Sequence, residues 1–412
     1  MKKKVGVVLI LLVVVVGMFA VGRYDVLIKY VKSNIGTASN DGAMIISDVV
    51  VSSANDKEEI KEVPEYAKAV DSYYENCYCY QRLDGEEKEI YVSIYTALKS
   101  MTPTIDIKTD DSDKVAKVHE FVMLDNPELF WVKGYKMVPY EMSDKIVKVE
   151  YSPIYTMTVG EKANYEIAME QKVNGWLAQM AGCEDDYSKV KKAYDLIIQN
   201  TSYSADATEN QNIVSVFVYG SSVCQGYAEA FQYLCKHVGI ENILVTGTAK
   251  SGEEEQPHAW NLVKMDGNYY QFDITWGEPN YAIDANQKNQ VKWEVSYKYF
   301  GVTDKEMKRD HKIDLDLELP SCTKTEDNYY IKEGNYYTSL DKTQLKMQFI
   351  EAEQQGESVV HLKCDNNLLY ESFVDYLFTQ ENVFKILKDQ SEIQYSQDED
   401  LYCISIFWDG KS

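Results

Sequence analysis

The sequence has no surplus of basic residues. Its 412 residues include 42 Lys and Arg against 66 Asp and Glu, which gives a formal net charge of -24. A protein that binds nucleic acid needs a positive face that releases counterions from phosphates, so this charge argues against a nucleic-acid partner. It also disfavours tight docking on an anionic membrane surface. Its simplest consequence is solubility.

The usual signals of a metal site are missing as well. The chain has no C-x-x-C pair, no D-x-D-x-D-G loop and only five histidines, and it shows no internal repeat. These absences argue against structural zinc and calcium regulation, and we expect neither a cofactor nor a metal. Eight cysteines could pair as disulfides in an exported chain, although Cys77 and Cys79 are too close in sequence for an easy mutual bridge.

The N-terminus carries the one long apolar run. Three lysines, Lys2 to Lys4, precede the run Val5–Gly22, which Arg23 closes. As a helix this run would be about 27 Å long, so it could just span a bilayer core of about 30 Å. It is either a cleaved signal peptide or, as we prefer, an uncleaved anchor. Both alternatives place the chain after Arg23 on the outer side of the membrane, at the cell surface or secreted, because the lysines stay inside.

The length of the chain predicts two or three domains. Residues 61–140 have the pattern of a small helical unit, in which Leu129 to Val132 start a strand. We divide the chain into a signal peptide or anchor (1–23), a linker (24–60), an N-terminal accessory region (61–140), a catalytic domain (141–312) and a C-terminal α+β accessory domain (325–412).

Hydrophobic periodicity predicts the elements within these parts. Helices are expected at 160–181, 187–200, 226–238, 341–355 and 370–388. Strands are expected at 146–151, 243–249, 258–265, 268–276 and 358–363, followed by two more that end at Trp408.

The stretch S-S-V-C-Q-G-Y-A-E-A-F contains the most informative residue, Cys224. This cysteine lies at the start of a predicted helix, where partial positive charge favours a thiolate, and Gly226 allows close packing of the backbone. Cys235 lies among apolar neighbours in the same helix and has the pattern of a buried structural cysteine. Polar residues flank Cys224, namely Ser221, Ser222 and Gln225. By themselves they leave a catalytic and a structural role equally open for this cysteine.

A hairpin around Asp266-Gly267 would bring an acid close to a histidine. In a two-residue turn, His258, Trp260, Asp273 and Thr275 share one face of the sheet, with Asp273 diagonal to His258. The diagonal separation is about 7–8 Å, within reach of longer side chains. An acid in that position would orient the imidazole and stabilise its protonated form. The sequence indicates no interacting residue for the other four histidines, which are His119, His237, His311 and His361.

Three segments together resemble the transglutaminase-like superfamily, which has an α+β papain-like fold. They are G-S-S-V-C-Q-G-Y-A-E-A-F, H-A-W-N-L-V and G-N-Y-Y-Q-F-D-I-T-W. The resemblance implies a helix carrying Cys224 as nucleophile, packed on an antiparallel sheet carrying His258 as general base and acid and Asp273 as the orienting acid. Candidate substrate-binding residues are Tyr203, Tyr227, Trp260 and Trp276. A core role is favoured for Tyr203 and is equally open for the other three.

The resemblance implies acyl transfer from protein or peptide amides through a thioester. Cleavage by water is favoured over cross-linking to an amine, because nothing in the sequence selects an amine. The alternative is a non-catalytic binding protein of the cell surface that keeps the fold. A redox protein would need a second cysteine near Cys224.

Overall fold

The computed structural model describes residues 52–53, 74, 77–143, 145–251, 254–278 and 295–408. The predicted anchor and nearly all of the predicted linker lie outside these ranges. No helix in the described part of the chain has the length and apolar character needed to span a bilayer. The described residues form two compact units, one running to Asn261 and including Lys312–Glu318, the other made of Leu262–His311 and the residues from Leu319 onward.

The first unit begins with two helices and a four-stranded sheet. In chain order these elements are β1 (Ser52–Ser53), α1 (Gly85–Lys99), β2 (Ile105–Ile107), α2 (Ser112–Asp125), β3 (Val132–Met142) and β4 (Lys145–Tyr155). The sheet has the order β1-β3-β4-β2, with β3 and β4 antiparallel. Helix α1 starts with a capping box in which the Asp84 side chain accepts from the Glu87 N–H and the Glu87 side chain accepts from the Asp84 N–H.

Residues 61–140 therefore contain strands as well as helices, and the strand predicted to start within Leu129 to Val132 begins only at the last of these residues. The peptide N–H of Leu129 donates to the Asn126 carbonyl, and the N–H of Val132 donates to the Leu129 carbonyl. These successive turns delay β3 until Val132. The Trp131 indole instead donates to the Leu98 carbonyl of α1 at 3.0 Å, so this tryptophan is a buried core residue.

The next elements lead to the segment around Cys224. They are α3 (Val159–Met180), α4 (Asp186–Asn200), β5 (Ser202–Tyr203), a π-helical turn (Ser215–Tyr219), β6 (Ser221–Ser222) and α5 (Cys224–His237). The three predicted helices are confirmed within one or two residues at nearly every end. Aromatic contacts join these elements. The ring centre of Trp176 in α3 lies 5.4 Å from that of Phe217 in the π-helical turn, and the ring centre of Tyr194 in α4 lies 6.0 Å from that of Phe231 in α5.

A five-stranded sheet follows α5. Its strands are β7 (Asn242–Ser251), β8 (Glu254–Met265), β9 (Asn268–Phe272), β10 (Phe300–Val302) and β11 (His311–Ile313), in the order β10-β9-β8-β7-β11. The predicted turn between β8 and β9 is confirmed. Asp266 and Gly267 both have positive φ angles, 48° and 82°, which is the geometry of a two-residue hairpin turn.

The C-terminal part of the second unit is α+β. After α6 (Asp304–Met307) it contains α7 (Tyr329–Lys332), β12 (Tyr336–Tyr337), α8 (Lys342–Gln355), β13 (Val359–Cys364), α9 (Asn367–Val374), α10 (Asn382–Ile386), β14 (Gln394–Asp398) and β15 (Cys403–Phe407). The four strands have the order β12-β13-β15-β14. The apolar core of this part includes Phe349, Leu362, Phe373, Ile404 and Trp408.

The single helix predicted at 370–388 is not continuous. A π-helical turn at Asp375–Thr379 follows α9, and Glu381 then takes a left-handed conformation with φ 54° before α10 begins. A left-handed residue ends an α-helix because the backbone can no longer continue the hydrogen-bond ladder. No glycine or proline marks this position in the sequence.

Candidate active site

Helix α5 begins at Cys224. The preceding residue, Val223, is extended and has no side-chain oxygen, so the first turn has no side-chain cap. The first amide N–H groups of a helix lack partners within the helix and carry partial positive charge. Cys224 is half-buried, so its sulfur lies at a positive helix end without being sealed into the core. The predicted position of Cys224 at the start of the helix is confirmed.

One side of α5 carries the apolar stripe that the sequence predicts. Tyr227, Ala230, Phe231 and Leu234 are completely buried, whereas Val238, the last residue of the predicted stripe, follows the helix and is only partly buried. The Tyr233 ring also packs against Phe217 of the π-helical turn, with the ring centres 5.6 Å apart. Because the helix is held on its apolar side, the position of its N-terminus is set by core packing.

The segment that leads into Cys224 is held by a short parallel pair of strands. β5 pairs with β6 in a register that places Tyr203 opposite Ser222. The Ser204 N–H donates to the Ser222 carbonyl at 2.8 Å, and the Ser202 N–H donates to the Gly220 carbonyl at 3.0 Å. Of the four candidate substrate-binding residues, Tyr203 is thus brought within two positions of Cys224 along this backbone and is only partly buried.

Gly226 lies in a space too small for any side chain. A Cβ atom there would lie 2.1 Å from Ser222 Oγ, 2.6 Å from Ser215 Oγ and 2.9 Å from the Asn212 carbonyl oxygen. The close packing that the sequence suggested for Gly226 is confirmed. It anchors the first turn of α5 against the two serines, one of which precedes Cys224 by two residues.

The other cysteines differ from Cys224 in their surroundings. Cys235 is completely buried in α5, and burial raises the pKa of its thiol to about 12. Cys183 is half-buried like Cys224 but lies just after α3, not at a helix start. The remaining cysteines are buried, and all eight are free thiols. Cys224 is therefore distinguished by the combination of access and helix-start position.

His258 lies in β8 and is 7% exposed. Its ring and that of Trp260 are nearly parallel, with 22° between their planes and 6.2 Å between their centres. The two residues are two positions apart, so they share one face of the strand, as predicted. Trp260 itself is completely buried, as is Tyr227, and this favours a core role for both aromatics.

Asn261 ties the strand of His258 to the helix of Cys224. Its side-chain N–H₂ donates to the Ala228 carbonyl of α5 at 3.0 Å and to Asn242 Oδ1 at 2.7 Å. Ala228 is one helical turn beyond Cys224. This buried hydrogen bond fixes β8 against α5 in a defined orientation, in addition to apolar packing.

Asp273 belongs to the second unit and is completely buried. The prediction that Asp273 and Thr275 continue the strand is wrong, because β9 ends at Phe272. Asp273 Oδ1 accepts from the N–H groups of Thr275 at 3.0 Å and Trp276 at 3.2 Å, which folds the chain into the 3₁₀ turn Thr275–Gly277. An Asp side chain that bonds the backbone two residues ahead competes with strand pairing in this way.

His311 is the residue of this region whose partner the sequence did not reveal. Its Nε2 lies 3.0 Å from Asp273 Oδ2, and its Nδ1 lies 2.5 Å from Asp310 Oδ1. In the sequence near His311, the adjacent acid Asp310 was the residue that could have indicated a partner for it. Asp273 is 38 positions away in the chain, so the contact follows from the fold of the second unit and not from sequence spacing.

The other histidines also have partners. His119 is buried with Nδ1 2.7 Å from the Tyr151 hydroxyl, and burial lowers the pKa of its imidazole to about 3. His361 Nδ1 lies 2.8 Å from Ser405 Oγ. His237, the last residue of α5, donates from Nδ1 to the Tyr233 carbonyl at 2.8 Å. These contacts fit structural roles.

Residues 174–274 match the family model of the transglutaminase-like superfamily. This range contains Cys224, His258 and Asp273, and it includes helices α4 and α5 and strands β7 to β9. The expected fold class is confirmed: the chain is a mixed helix and sheet protein with a transglutaminase-like core.

Two curated relatives are kyphoscoliosis peptidases. The mouse protein (Mus musculus) is 26% identical over 105 residues, which is 22% of this chain and 16% of the relative. The human protein is 36% identical over 62 residues, which is 13% of this chain and 9% of the relative. Each match thus spans less than a fifth of the relative's length. A solved structure from Cytophaga hutchinsonii, described there as a proposed cysteine protease, is 16% identical with a TM-score of 0.24, covering 34% of this chain and 62% of that chain.

Proposed function

Residues 174–274 form a transglutaminase-like core, and from this premise we propose that the protein is a cysteine-dependent acyl-transfer enzyme acting on protein or peptide amides. Cys224 is the nucleophile, His258 the general base and acid, and Asp273 the acid that orients His258. One observation carries the proposal. Cys224 is the half-buried first residue of a helix whose N-terminus has no side-chain cap, inside the region that matches the family.

The proposed reaction begins with proton transfer from the Cys224 thiol to His258. The thiolate attacks the amide carbonyl carbon, and the C–S bond forms as the carbonyl becomes an oxyanion. The backbone N–H of Cys224, at the positive end of α5, is the donor that we assign to this oxyanion. Collapse of the intermediate breaks the C–N bond, and His258 gives its proton to the departing amine. A thioester on Cys224 remains.

The second half of the reaction releases the acyl group. His258 takes a proton from water or from a primary amine, whose oxygen or nitrogen attacks the thioester carbonyl. The C–S bond then breaks, the sulfur leaves as a thiolate, and the product is an acid or a new amide. We propose hydrolysis as the main outcome. No described feature near Cys224 supplies a selective site for an amine.

The proposed location is outside the cytoplasm, at the cell membrane or secreted, with a protein or peptide of the cell envelope as substrate. This part of the proposal depends on the apolar run Val5–Gly22 and the lysines before it. Protease accessibility in intact cells, compared with lysed cells, tests it. Protection of the whole chain in intact cells would contradict it.

Alkylation of the full-length protein by iodoacetamide tests the nucleophile. Cys183 is the matched control, since it is half-buried like Cys224 but does not begin a helix. We expect Cys224 to react faster than Cys183 by about tenfold or more, because only Cys224 begins a helix and has a base, His258, in the proposed mechanism. His258→Ala should remove most of this difference, whereas His237→Ala should leave it unchanged. Rates are read for each cysteine by peptide mass spectrometry.

Equal, slow alkylation of Cys183 and Cys224, with no effect of His258→Ala, would contradict the proposal and favour a non-catalytic binding protein. A peptide library incubated with and without a primary amine then identifies the reaction. New chain termini indicate hydrolysis of peptide bonds, addition of the amine indicates transfer, and conversion of glutamine to glutamate indicates deamidation. Cys224→Ala is the control for each product.

A further inference from the structure

The His311 ring lies between two carboxylates in the second unit. Its Nε2 is 3.0 Å from Asp273 Oδ2 and its Nδ1 is 2.5 Å from Asp310 Oδ1. The His311 and Asp273 side chains have no exposed surface. Both ring nitrogens therefore lie next to carboxylate oxygens, and the ring itself is shielded from bulk water, although the Asp310 side chain is 17% accessible.

Hydrogen-bond chemistry limits the protonation states that satisfy this arrangement. An ionised carboxylate only accepts hydrogen bonds, whereas a neutral imidazole has one donor nitrogen and one acceptor nitrogen. Two ionised carboxylates are both satisfied only when both ring nitrogens carry protons. A buried cation between two anions is also better compensated than two buried anions without one.

The remaining oxygens of the two carboxylates are already occupied by donors. Asp273 Oδ1 accepts from two backbone N–H groups of the 3₁₀ turn that follows it. Asp310 Oδ2 accepts from the Tyr299 hydroxyl. Burial, and then the negative charge of Asp310, raise the pKa of Tyr299 far above its ordinary value, so this tyrosine keeps its proton and donates. Neither carboxylate needs a proton of its own.

Two aromatic rings stand beside the imidazole. The Trp276 ring centre is 4.7 Å away and the Tyr299 ring centre is 5.3 Å away. Aromatic faces attract a cation and keep water from a buried charge. Trp276, which the sequence suggested as a substrate-binding residue, therefore has a second role at His311 that does not require a substrate.

We propose that His311 is a positioning residue, held as an imidazolium between Asp310 and Asp273, that fixes Asp273 as an ionised acceptor of set orientation. His311 acts only through Asp273 and touches no reacting atom. Its catalytic consequence rests on the proposed function, in which Asp273 orients His258. Its protonation state does not rest on that function and is tested separately.

Nitrogen-15 spectra of the full-length protein test the protonation state. Labelling of histidine gives five imidazoles, and His311→Gln identifies the signals of His311 by their loss. At pH 8.5 an exposed imidazole, with an ordinary pKa of about 6.5, is neutral. We expect His311 to have two protonated nitrogens at this pH. A neutral His311 ring would overturn the proposal.

The pH dependence of Cys224 alkylation tests the positioning role. His311→Gln keeps an N–H donor for Asp273 but removes the charge, so we expect the buried Asp273 to take up a proton at low pH. The rate should fall by about tenfold at pH 6 and recover toward pH 9. His311→Ala removes donor and charge, and should lower the rate across the whole range.

His361→Gln is the matched control, a buried histidine of the same unit bonded to a serine, and it should keep the wild-type profile. A merely structural role would lower stability without moving the pH profile of the folded protein. A wild-type profile for His311→Gln would therefore overturn the positioning role. If wild-type Cys224 reacts no faster than Cys183, the proposed function fails, while the nitrogen-15 spectra still decide the state of His311.

Discussion

Ser215 Oγ and Ser222 Oγ share a 2.6 Å hydrogen bond directly beside the Cα atom of Gly226. Both serines are completely buried, and Ser215 Oγ also lies 2.6 Å from the Asn212 carbonyl. This small polar cluster joins the π-helical turn to the start of α5. π-helical turns are rare and often occur near functional sites. Here the turn leads the chain into the helix of Cys224.

Gly226→Ala should destabilise the protein by about 1–3 kcal/mol, because the new methyl group would collide with both serine hydroxyls. Urea unfolding measures the change. Gly175→Ala is the matched control, since Gly175 is inside α3 with nothing within 4 Å of a Cβ atom. That substitution should stabilise by up to about 1 kcal/mol. Stabilisation by both substitutions would contradict the tight packing at Gly226.

Asn261→Ala should cost about 1–3 kcal/mol of unfolding free energy, because it leaves the buried Asn242 side chain without this donor. It should also reduce the alkylation advantage of Cys224 over Cys183, since β8 loses its bond to the Ala228 carbonyl. Thermal unfolding and alkylation rates measure the two effects. Asn200→Ala, at an exposed position, should change stability by less than about 0.5 kcal/mol. Equal effects of the two substitutions on stability and on alkylation would argue against a structural role for the Asn261 hydrogen bonds between β8 and α5.

The helix of Cys224 was predictable because its signals are local. The apolar stripe from Tyr227 to Leu234 repeats with the period of a helix, and Asp266-Gly267 is a strong two-residue turn signal. Each pattern specifies a backbone conformation within about ten residues. Tertiary packing agrees with these local preferences, so prediction and structure coincide.

The surroundings of Asp273 could not be predicted in the same way. Alternation of apolar and polar residues continues through Thr275 and favours a strand, but the Asp273 carboxylate bonds the following backbone N–H groups and ends it. The contact between Asp273 and His311 joins residues that are far apart in the chain. No pattern in one sequence encodes such a pairing, because it depends on how β10, α6 and the strand at His311 fold back.

Glu229→Gln should make stability less dependent on pH. Burial raises the pKa of Glu229 to about 8, although the hydrogen bond from Gln225 at 2.7 Å opposes this rise. The folded state therefore binds a proton between about pH 4.5 and 8 that the unfolded chain has lost, so wild-type stability falls as pH rises through this window. At pH 9 the neutral variant should be more stable than wild type by about 1 kcal/mol or more.

Urea unfolding at pH 5 and pH 9 measures this difference. At pH 5 the Glu229 carboxyl is already protonated in the folded protein, so the variant and wild type should be nearly equal. Glu170→Gln, on the exposed face of α3, is the matched control and should change the free energy of unfolding by less than about 0.5 kcal/mol at either pH. A pH-independent effect of Glu229→Gln would show that the carboxyl is not held protonated by burial.

Lys363→Met should destabilise the second unit by about 3 kcal/mol, because it removes the buried cation that pairs with Glu306. Burial alone would raise the pKa of Glu306, but the Lys363 ammonium and hydrogen bonds from Thr303 overcome this and lower it. The double variant Lys363→Met with Glu306→Gln should regain more than half of the loss, since no unpaired charge remains. Lys324→Ala is the control for an exposed pair, with side chains 54% and 66% accessible, and should cost less than about 0.5 kcal/mol. Urea unfolding of wild type and the three variants measures these values. If the double variant is no more stable than Lys363→Met, the loss comes from packing of the lysine stem and not from the unpaired buried charge.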